Sequence, residues 1–327
     1  MRNIDRLKFF KKFCLIINLE YQLFMFLPGD KDQESSVIEQ VGDYIIGHVS
    51  NSDSANPIIK FPSILGIDMS VTKHVFMLWF VAIITSLIII LPVRKFLRNR
   101  DYKPSIMSNG IEAIVQFIRD SIVLPNVGSK WVNTWTPLVL TFFFFILFAN
   151  GIGMVPIFDV ISLLNKFFFD SYFLKRLTEG GATATGNFHV TAGLATITFF
   201  AIMISGSLAH GFINHWKNLV PHGLPWPVYI ILIPIELMGM FVKPFALTMR
   251  LAANMTGGHI AILALLSLIA IFAEIFQSSV AGIGVAAISV PMATAISGLE
   301  IIVVLVQAYV FTLLTAVFIG MAINVHH

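Results

Sequence analysis

The fold is decided by two adjacent apolar stretches, VYIILIPIELMGMFVKPFALTMRLAANMTGGHIAILALLSLIAIFAEIF at residues 228–276 and SSVAGIGVAAISVPMATAISGLEIIVVLVQAYVFTLLTAVFIGMAIN at residues 278–324. Each is more than twice the length of roughly 20 residues that crosses a bilayer as an upright helix. Because strong tilt is the simplest way to fit such lengths into a membrane, the pattern predicts a long, strongly tilted C-terminal helical hairpin.

The composition of the whole chain agrees with a membrane protein. Of its 327 residues, 57% are hydrophobic and 12% are charged, whereas soluble domains have roughly 25% charged residues. The formal net charge of +3 is too small to indicate a nucleic-acid partner. The single cysteine, Cys14, excludes a disulfide framework and a cysteine metal cluster. We find no phosphate-binding glycine motif, so we expect no nucleotide site, no cofactor and no enzymatic activity on this chain itself.

Three further apolar spans precede the hairpin, at about residues 74–96, 131–156 and 189–213. We therefore predict an all-α polytopic protein with about five membrane helices, in a membrane domain over residues 74–327. Lysines and arginines follow the first span and mark its cytoplasmic end, which places the acidic, polar segment at 28–73 outside. Glycine, alanine and threonine from Gly180 to Gly186 indicate a flexible loop.

Two amphipathic segments complete the organisation. Residues 105–124 place Ile111, Ile118 and Ile122 at helical spacing between polar residues, which predicts one interfacial helix on the membrane surface. Residues 1–27 have a basic start followed by an apolar run. This pattern fits a signal sequence or, as an alternative, an interfacial helix.

Five ionisable side chains stand at membrane depth in the hairpin, where they are costly and are typical of transport pathways. Three of them are seven residues apart and form one helical stripe, with Asn254 one turn further on nearly the same face. His259 is nine residues past Arg250, on the opposite side and roughly 13 Å further along the axis. On the last helix Glu300 and Gln307 share a face. The five residues are Glu236, Lys243, Arg250, His259 and Glu300.

The residue types fit a gated proton path. Arginine keeps its charge because its pKa exceeds about 12, whereas histidine and glutamate gain and lose protons near neutrality when their surroundings shift them. A permanent cation can attract a carboxylate once it ionises and can repel a proton that would leak straight through.

Plainer interpretations stand beside this one. An arginine in an apolar run often snorkels at a helix end, although Arg250 has apolar sequence on both sides. Lys243 next to Pro244 fits a structural position at a turn equally well. Asn254 can be a helix–helix hydrogen bond, and Glu236 can mark only the cytoplasmic mouth. His215 and His222 are interpreted as solvated loop residues.

The segment PFALTMRLAANMTGGH at residues 244–259 closely resembles subunit a of F-type (rotary) ATP synthases, in the Fo sector. Gln307, with an ionisable residue seven positions earlier, fits the same family. The resemblance extends less tightly from about residue 74 to residue 324, including Asn150 in the second span and the region of Asn187 and Thr191.

This resemblance implies a role for each site residue. Arg250 would be the stator charge facing the carboxylates of the c-ring, with Gln307 supporting it. His259 and Glu300 would line the outer half-channel, as a pair that some members carry in exchanged positions. Asn254 and Glu236 would lie on the path to the inner side. Some members have an aspartate at the position of Gly153, and the nearby Asp159 does not have the same spacing. Asp159, Asn150 and Lys243 are therefore kept only as secondary candidates for the site.

The resemblance also implies the partners and the location. The partners would be the c-ring, subunit b of the peripheral stalk, the rest of the ATP synthase and membrane lipid. The location would be a bacterial inner membrane or, as an alternative, a mitochondrial inner membrane.

The rival classes of protein are a stand-alone cation/proton antiporter, a non-transporting scaffold protein and an intramembrane metallohydrolase. Within the family, sodium is the rival of the proton as the transported ion.

Overall fold

The computed structural model describes residues 37–49, 57, 59–60, 62, 70–98, 105–155, 161, 165, 183–217 and 225–324. The chain separates into a unit of residues 1–40, of which only 37–40 are described, and a unit of residues 41–327. The predicted signal sequence or interfacial helix at 1–27 lies outside the described residues. Within the described ranges the secondary structure is helical apart from one isolated antiparallel bridge, between Ile59 and Val71.

A helix that the sequence analysis missed, α1 (Val37–Val49), lies within the polar segment at 28–73. Glu39 stands in its first turn, where a negative charge favours a helix. Val41 is buried, whereas Asp43 is exposed. The amphipathic spacing is hidden in the sequence by the net acidic character of the surrounding segment, which we interpreted only as solvated chain.

Five long helices confirm the predicted all-α polytopic class, since each is long and apolar enough to cross a membrane. The third span ends at His210, not at residue 213, because Gly211 follows with a φ of +83° and a short helix begins after it. The five long helices are α2 (Lys73–Arg98), α5 (Val132–Met154), α6 (Phe188–His210), α8 (Trp226–Ile275) and α9 (Ser279–Ile323). The short elements are α3 (Ile106–Phe117), a π-helical stretch (Ile118–Val123), α4 (Leu124–Val127), a 3₁₀ turn (Ala184–Gly186) and α7 (Phe212–Lys217).

The C-terminal hairpin consists of two uninterrupted helices of 50 and 45 residues. At 1.5 Å per residue these are about 75 Å and 68 Å long, whereas the hydrocarbon core of a bilayer is about 30 Å thick. Neither helix can therefore stand upright with its whole length inside a membrane. The two pack closely near the turn, where a Cβ on Gly282 would come 2.9 Å from the Cβ of Ala273.

The core lies where α5, α6, α8 and α9 meet, and it also includes buried residues of α3, the π-helical stretch and α4. The Phe142 ring of α5 contacts the Phe311 ring of α9 edge-on at 5.4 Å between centroids, and Phe199 of α6 stacks on Phe241 of α8 at 5.5 Å. Leu247 and Leu251 are buried, so this side of α8 faces inward. The packing fixes the rotation of α8 and hence the direction of its polar residues.

The predicted interfacial segment is helical from Ile106 to Val127 through α3, the π-helical stretch and α4. Ser105 caps its N-terminus by accepting a hydrogen bond from the Ser108 amide at 3.2 Å. Ile111, Ile118 and Ile122 are buried, as the spacing predicts, while Glu112 is exposed. Its position on the membrane surface stays a prediction.

The hairpin turn holds Gln277 at a φ of +46°, a region that glycine usually occupies. The Ser278 amide donates to the Ala273 carbonyl at 3.0 Å and the Gln277 amide to the Glu274 carbonyl at 2.9 Å. These two bonds form a Schellman ending, which glycine favours. The Gln277 side-chain amide also donates to the Glu274 carbonyl, at 3.0 Å.

We expect Gln277→Gly to stabilise the purified protein in detergent by up to about 1 kcal/mol, because it removes the left-handed strain at the loss of one exposed hydrogen bond. Thermal unfolding followed by circular dichroism measures the change. The control is Gln277→Val, whose branched side chain should lower the midpoint. A lower midpoint for the glycine variant would contradict this account of the turn.

Candidate functional site

The predicted stripe on α8 lies at the edge of a face that this chain leaves uncovered. Arg250 and Asn254 are exposed, whereas Glu236 and Lys243 are half-buried. Arg250 makes no hydrogen bond or ion pair with any other residue that the structure describes. The guanidinium is therefore presented away from the core of this chain.

The uncovered part of α8 and α9 carries many exposed apolar side chains. Phe245 and Met249, five and one residues before Arg250 in α8, are exposed, and Leu299, Ile302 and other residues of α9 are exposed as well. A face this apolar fits lipid or a hydrophobic partner. A lone cation on such a face is costly unless a partner supplies a negative charge.

Lys243 differs from Arg250 because it is turned toward α9. Its ammonium group lies 5.7 Å from the centroid of the Phe318 ring, which is a cation–π distance. The contact supports the structural interpretation of Lys243 that the sequence left open. The stripe thus has one cation that packs within the chain and one that faces outward.

His259 lies on the other side of α8, as the spacing predicts, and it is half-buried. Its Nε2 is 2.9 Å from the Oγ1 of Thr183. Thr183 precedes the 3₁₀ turn, and the turn is fastened to α8 by Thr256, whose hydroxyl donates to the Gly186 carbonyl at 3.2 Å. His259 is therefore held by a segment that is distant in sequence.

A second pair of polar residues ties the same turn to α5. The Thr185 hydroxyl donates a short hydrogen bond to the Oδ1 of Asn150, and both side chains are fully buried. The Nδ2 of Asn150 has no hydrogen-bond partner within the described part of the chain. We call these five residues, Asn150, Thr183, Thr185, Thr256 and His259, the Thr183 cluster.

Glu300 of α9 reaches the same level of the hairpin. A Cβ on Gly258 would overlap its Oε1 and would lie 2.9 Å from its Cδ, so the carboxyl group rests directly on this glycine. Gly258 immediately precedes His259. The Glu300 carboxyl group thus contacts the residue next to His259, so the two predicted titratable residues of the outer path lie at the same level of α8.

Among the described residues, the predicted site residue Gln307 has no hydrogen bond to these groups. Gln307 is buried in the core beside Ala308, and the described residues show no hydrogen bond between Gln307 and Arg250. Its support of the arginine stays a prediction. Asp159 lies outside the described residues.

Three interpretations of the sequence need correction. Residues 183–186 were expected in a flexible loop, but they form a buried turn in which Ala184 and Thr185 are fully enclosed. The list of five hairpin charges omits Glu274, which is exposed two residues before the turn at Phe276. For the turn at residues 183–186, the sequence feature that indicates order is Asn187 directly after it. The Asn187 side chain caps α6 by accepting a hydrogen bond from the His189 amide at 2.8 Å.

The third correction concerns His215, which is buried in α7 and is not a solvated loop residue. Its imidazole occupies the space that Gly206 leaves, since a Cβ there would overlap the ring. Burial lowers the pKa of His215 from its ordinary value, and nearby His210 lowers it further. His210 itself donates from Nε2 to the Ile323 carbonyl at 2.8 Å. His222 lies outside the described residues.

The fold and the site together define a polytopic helical membrane protein with an exposed arginine on a long apolar helix and a separate cluster of titratable and hydroxyl side chains. Comparison with known proteins agrees. The family model described as ATP synthase A chain matches residues 75–320. ATP synthase subunit a 2 of Chlorobium luteolum is 40% identical over 304 residues, covering 90% of this chain and 80% of the relative.

Two further relatives extend the comparison. ATP synthase subunit a of Pelodictyon phaeoclathratiforme is 38% identical, with coverage of 87% of this chain and 76% of the relative. ATP synthase subunit a of Myxococcus xanthus is 38% identical, with coverage of 80% and 75%. The chain belongs to the family of ATP synthase subunit a, and these relatives are bacterial.

We expect acidification to loosen α7. The pKa of His215 is lowered in the folded protein, so the neutral imidazole is favoured there, and its stabilising effect is complete above the ordinary value of 6.5. As the pH falls below that value, protonation favours the unpacked state. Hydrogen–deuterium exchange of residues 206–217, corrected for intrinsic rates, should accelerate between about pH 8 and about pH 5.5.

The variant His215→Asn should lose this dependence, whereas His189→Asn, at an exposed histidine, should keep it. Exchange that is equally slow at both pH values in the parent protein would contradict the burial of a neutral His215.

We also expect Gly258→Ala to displace the Glu300 carboxyl group without unfolding the protein, because the overlapping atoms are the end of a flexible side chain. The carboxyl band of Glu300 in infrared difference spectra should shift, while the thermal midpoint changes little. The matched control is Gly257→Ala, since a Cβ at Gly257 meets nothing within 4 Å. An unshifted band in Gly258→Ala would refute the contact.

Proposed function

We propose that this chain is the proton-conducting stator subunit of an ATP synthase Fo motor. The observation that carries the proposal is the division of α8 into two chemically different sides. Arg250 faces outward without a hydrogen-bond or ion-pair partner among the described residues, and His259, nine residues further on, belongs to the Thr183 cluster. Two offset half-channels with a fixed charge between them need this arrangement.

The uncovered face of α8 and α9 is the proposed contact with the c-ring. Its apolar side chains fit a hydrophobic rotor surface, and Arg250 would meet a rotor carboxylate there. An ionised carboxylate satisfies the guanidinium, while a protonated carboxyl group can leave and face lipid. Because arginine does not release its proton at physiological pH, it also blocks direct proton leak past the ring.

Protons would reach the ring from outside through His259 and Glu300. The basic residues Lys95 and Arg98 in the last turn of α2 support a cytoplasmic position for that end of the helix. With α3 on the surface, α5 would then run outward, and the Thr183 cluster would lie toward the outer side. In that orientation, both titratable groups of the proposed outer half-channel would lie toward the outer side.

On the inner side, Asn254 and Glu236 share the stripe with Arg250 and would guide the released proton. One elementary charge crossing 100 mV provides about 2.3 kcal/mol. Several protons are therefore needed for each ATP, which is the purpose of a ring that carries many carboxylates.

The remaining parts of the proposal concern partners and place. The chain would assemble with the c-ring, with subunit b of the peripheral stalk and with the other subunits, which hold the nucleotide chemistry. The bacterial relatives favour the inner membrane of a bacterium. Coupling to protons is favoured over sodium by the titratable pair His259 and Glu300.

The test of Arg250 is ATP-driven proton pumping in inverted vesicles that carry the assembled complex. We expect Arg250→Ala to abolish coupled pumping, because nothing then draws the ionised rotor carboxylate to the stator. The complex should still assemble, since Arg250 is exposed and makes no hydrogen bond or ion pair with another described residue. The matched control is Met249→Leu, at an exposed neighbouring position.

Normal pumping by the assembled Arg250→Ala complex would remove the stator role and most of this mechanism. Loss of pumping in both variants would point to a general defect of the face instead.

A further inference from the structure

The Thr183 side chain fills a space that is open only because residue 153 of α5 is a glycine. A Cβ on Gly153 of α5 would come 2.7 Å from both the Cβ and the Cγ2 of Thr183 and would overlap its hydroxyl oxygen. Thr183 is buried in this space, and its hydroxyl lies 2.9 Å from the Nε2 of His259. Any larger residue at 153 would therefore push the hydroxyl away from the imidazole.

The turn that carries Thr183 is fixed at several points. The Gly186 amide donates to the Thr183 carbonyl at 3.2 Å, Thr185 is bonded to Asn150, and Thr256 is bonded to the Gly186 carbonyl. Met77 of α2 packs against Ala184 in a small apolar cluster. Thr183 is thus presented to His259 by a rigid support on three helices.

We infer that Thr183 is a positioning residue for His259, that Gly153 provides the space it needs, and that Asn150 acts as an anchor of the turn. This inference rests on the proposed function of His259 in the proton path. Under this inference, Thr183, Gly153 and Asn150 act together to hold the His259 imidazole in place.

The chemistry of the hydroxyl suits this role. A threonine hydroxyl has one proton to donate and two lone pairs to accept with. It donates to Nε2 when the imidazole is neutral and that nitrogen is unprotonated. After His259 takes up a proton at Nε2, the hydroxyl rotates and accepts the new N–H. One side chain therefore holds the ring in the same place through both protonation states, which an apolar side chain of equal size does not do.

The experiment measures proton-driven ATP synthesis against outer pH in vesicles with the assembled complex. In Thr183→Val the shape is kept and the hydrogen bond is lost. We expect the rate to fall by about tenfold, the effect of one hydrogen bond to a group that becomes charged. The outer-pH profile should also be displaced from that of the parent, whereas a merely structural defect lowers the rate equally at every pH.

Three further variants complete the design. Thr183→Ser retains the hydroxyl and should restore both the rate and the profile. Gly153→Ala should reproduce the defect of Thr183→Val from the other helix, and the double variant should be no worse than either single one. The control is Thr141→Val, at an exposed threonine of α5 whose hydroxyl donates to the Pro137 carbonyl of its own helix.

The outcomes separate this inference from the proposed function. If His259→Ala loses ATP synthesis while Thr183→Val keeps the parental rate and profile, the inference about Thr183 is wrong and the role of His259 stands. If His259→Ala is fully active, the proposed role of His259 fails first. Should Thr183→Val not assemble, Thr183→Ala and Gly153→Ala decide by the same readouts. If the effects of Gly153→Ala and Thr183→Val on the rate are strictly additive in the double variant, the inference that the two residues act together is wrong.

Discussion

The continuity of helix α8 is the constraint on which the rest of the arrangement depends. It runs from Trp226 to Ile275 without interruption, although Pro234 and Pro244 lie inside it and each lacks an amide proton. Because the helix is continuous, its angular period fixes Arg250 and His259 on opposite sides and about 13 Å apart along the axis. A break between them would let the two residues rotate independently, and their separation would no longer be defined.

The packing sorts the polar residues of α8 by the partner that each one finds. Leu247 and Leu251 are buried in the core. Lys243 makes a cation–π contact with Phe318 of the same chain. His259 finds Thr183, whereas Arg250 finds no partner among the described residues. Groups that the chain satisfies by itself can be ordered before any partner binds, whereas under the proposed function Arg250 is satisfied only in the assembled complex.

The sequence predicted the class of fold because a bilayer leaves the backbone few choices. An apolar run of sufficient length must be helical, so the five long helices could be located from hydrophobicity alone. Helical spacing likewise placed Arg250 and His259 on opposite sides. The buried turn at residues 183–186 could not be located this way. Its glycine and threonine content is typical of a mobile loop, and its order comes from contacts with α5 and α8, which no local pattern contains.

His215 and α1 illustrate the same limit at smaller scale. The burial of His215 follows from the missing side chain of Gly206, nine residues away on another helix, and not from the polar and proline-rich residues around it. In α1 the apolar spacing is present, but it is short and surrounded by acidic residues. Local composition therefore gave the wrong surroundings for His215 and concealed a short helix.

The space that Thr183 fills has a consequence for how this protein can evolve. Positions 153 and 183 compete for one small volume, so a chain can place bulk at one of them or at the other. An acidic side chain at 153 and a threonine in its present place at 183 exclude each other sterically. The two positions are 30 residues apart in sequence. We therefore expect them to covary, because the size of the side chain at one position limits the size that is tolerated at the other.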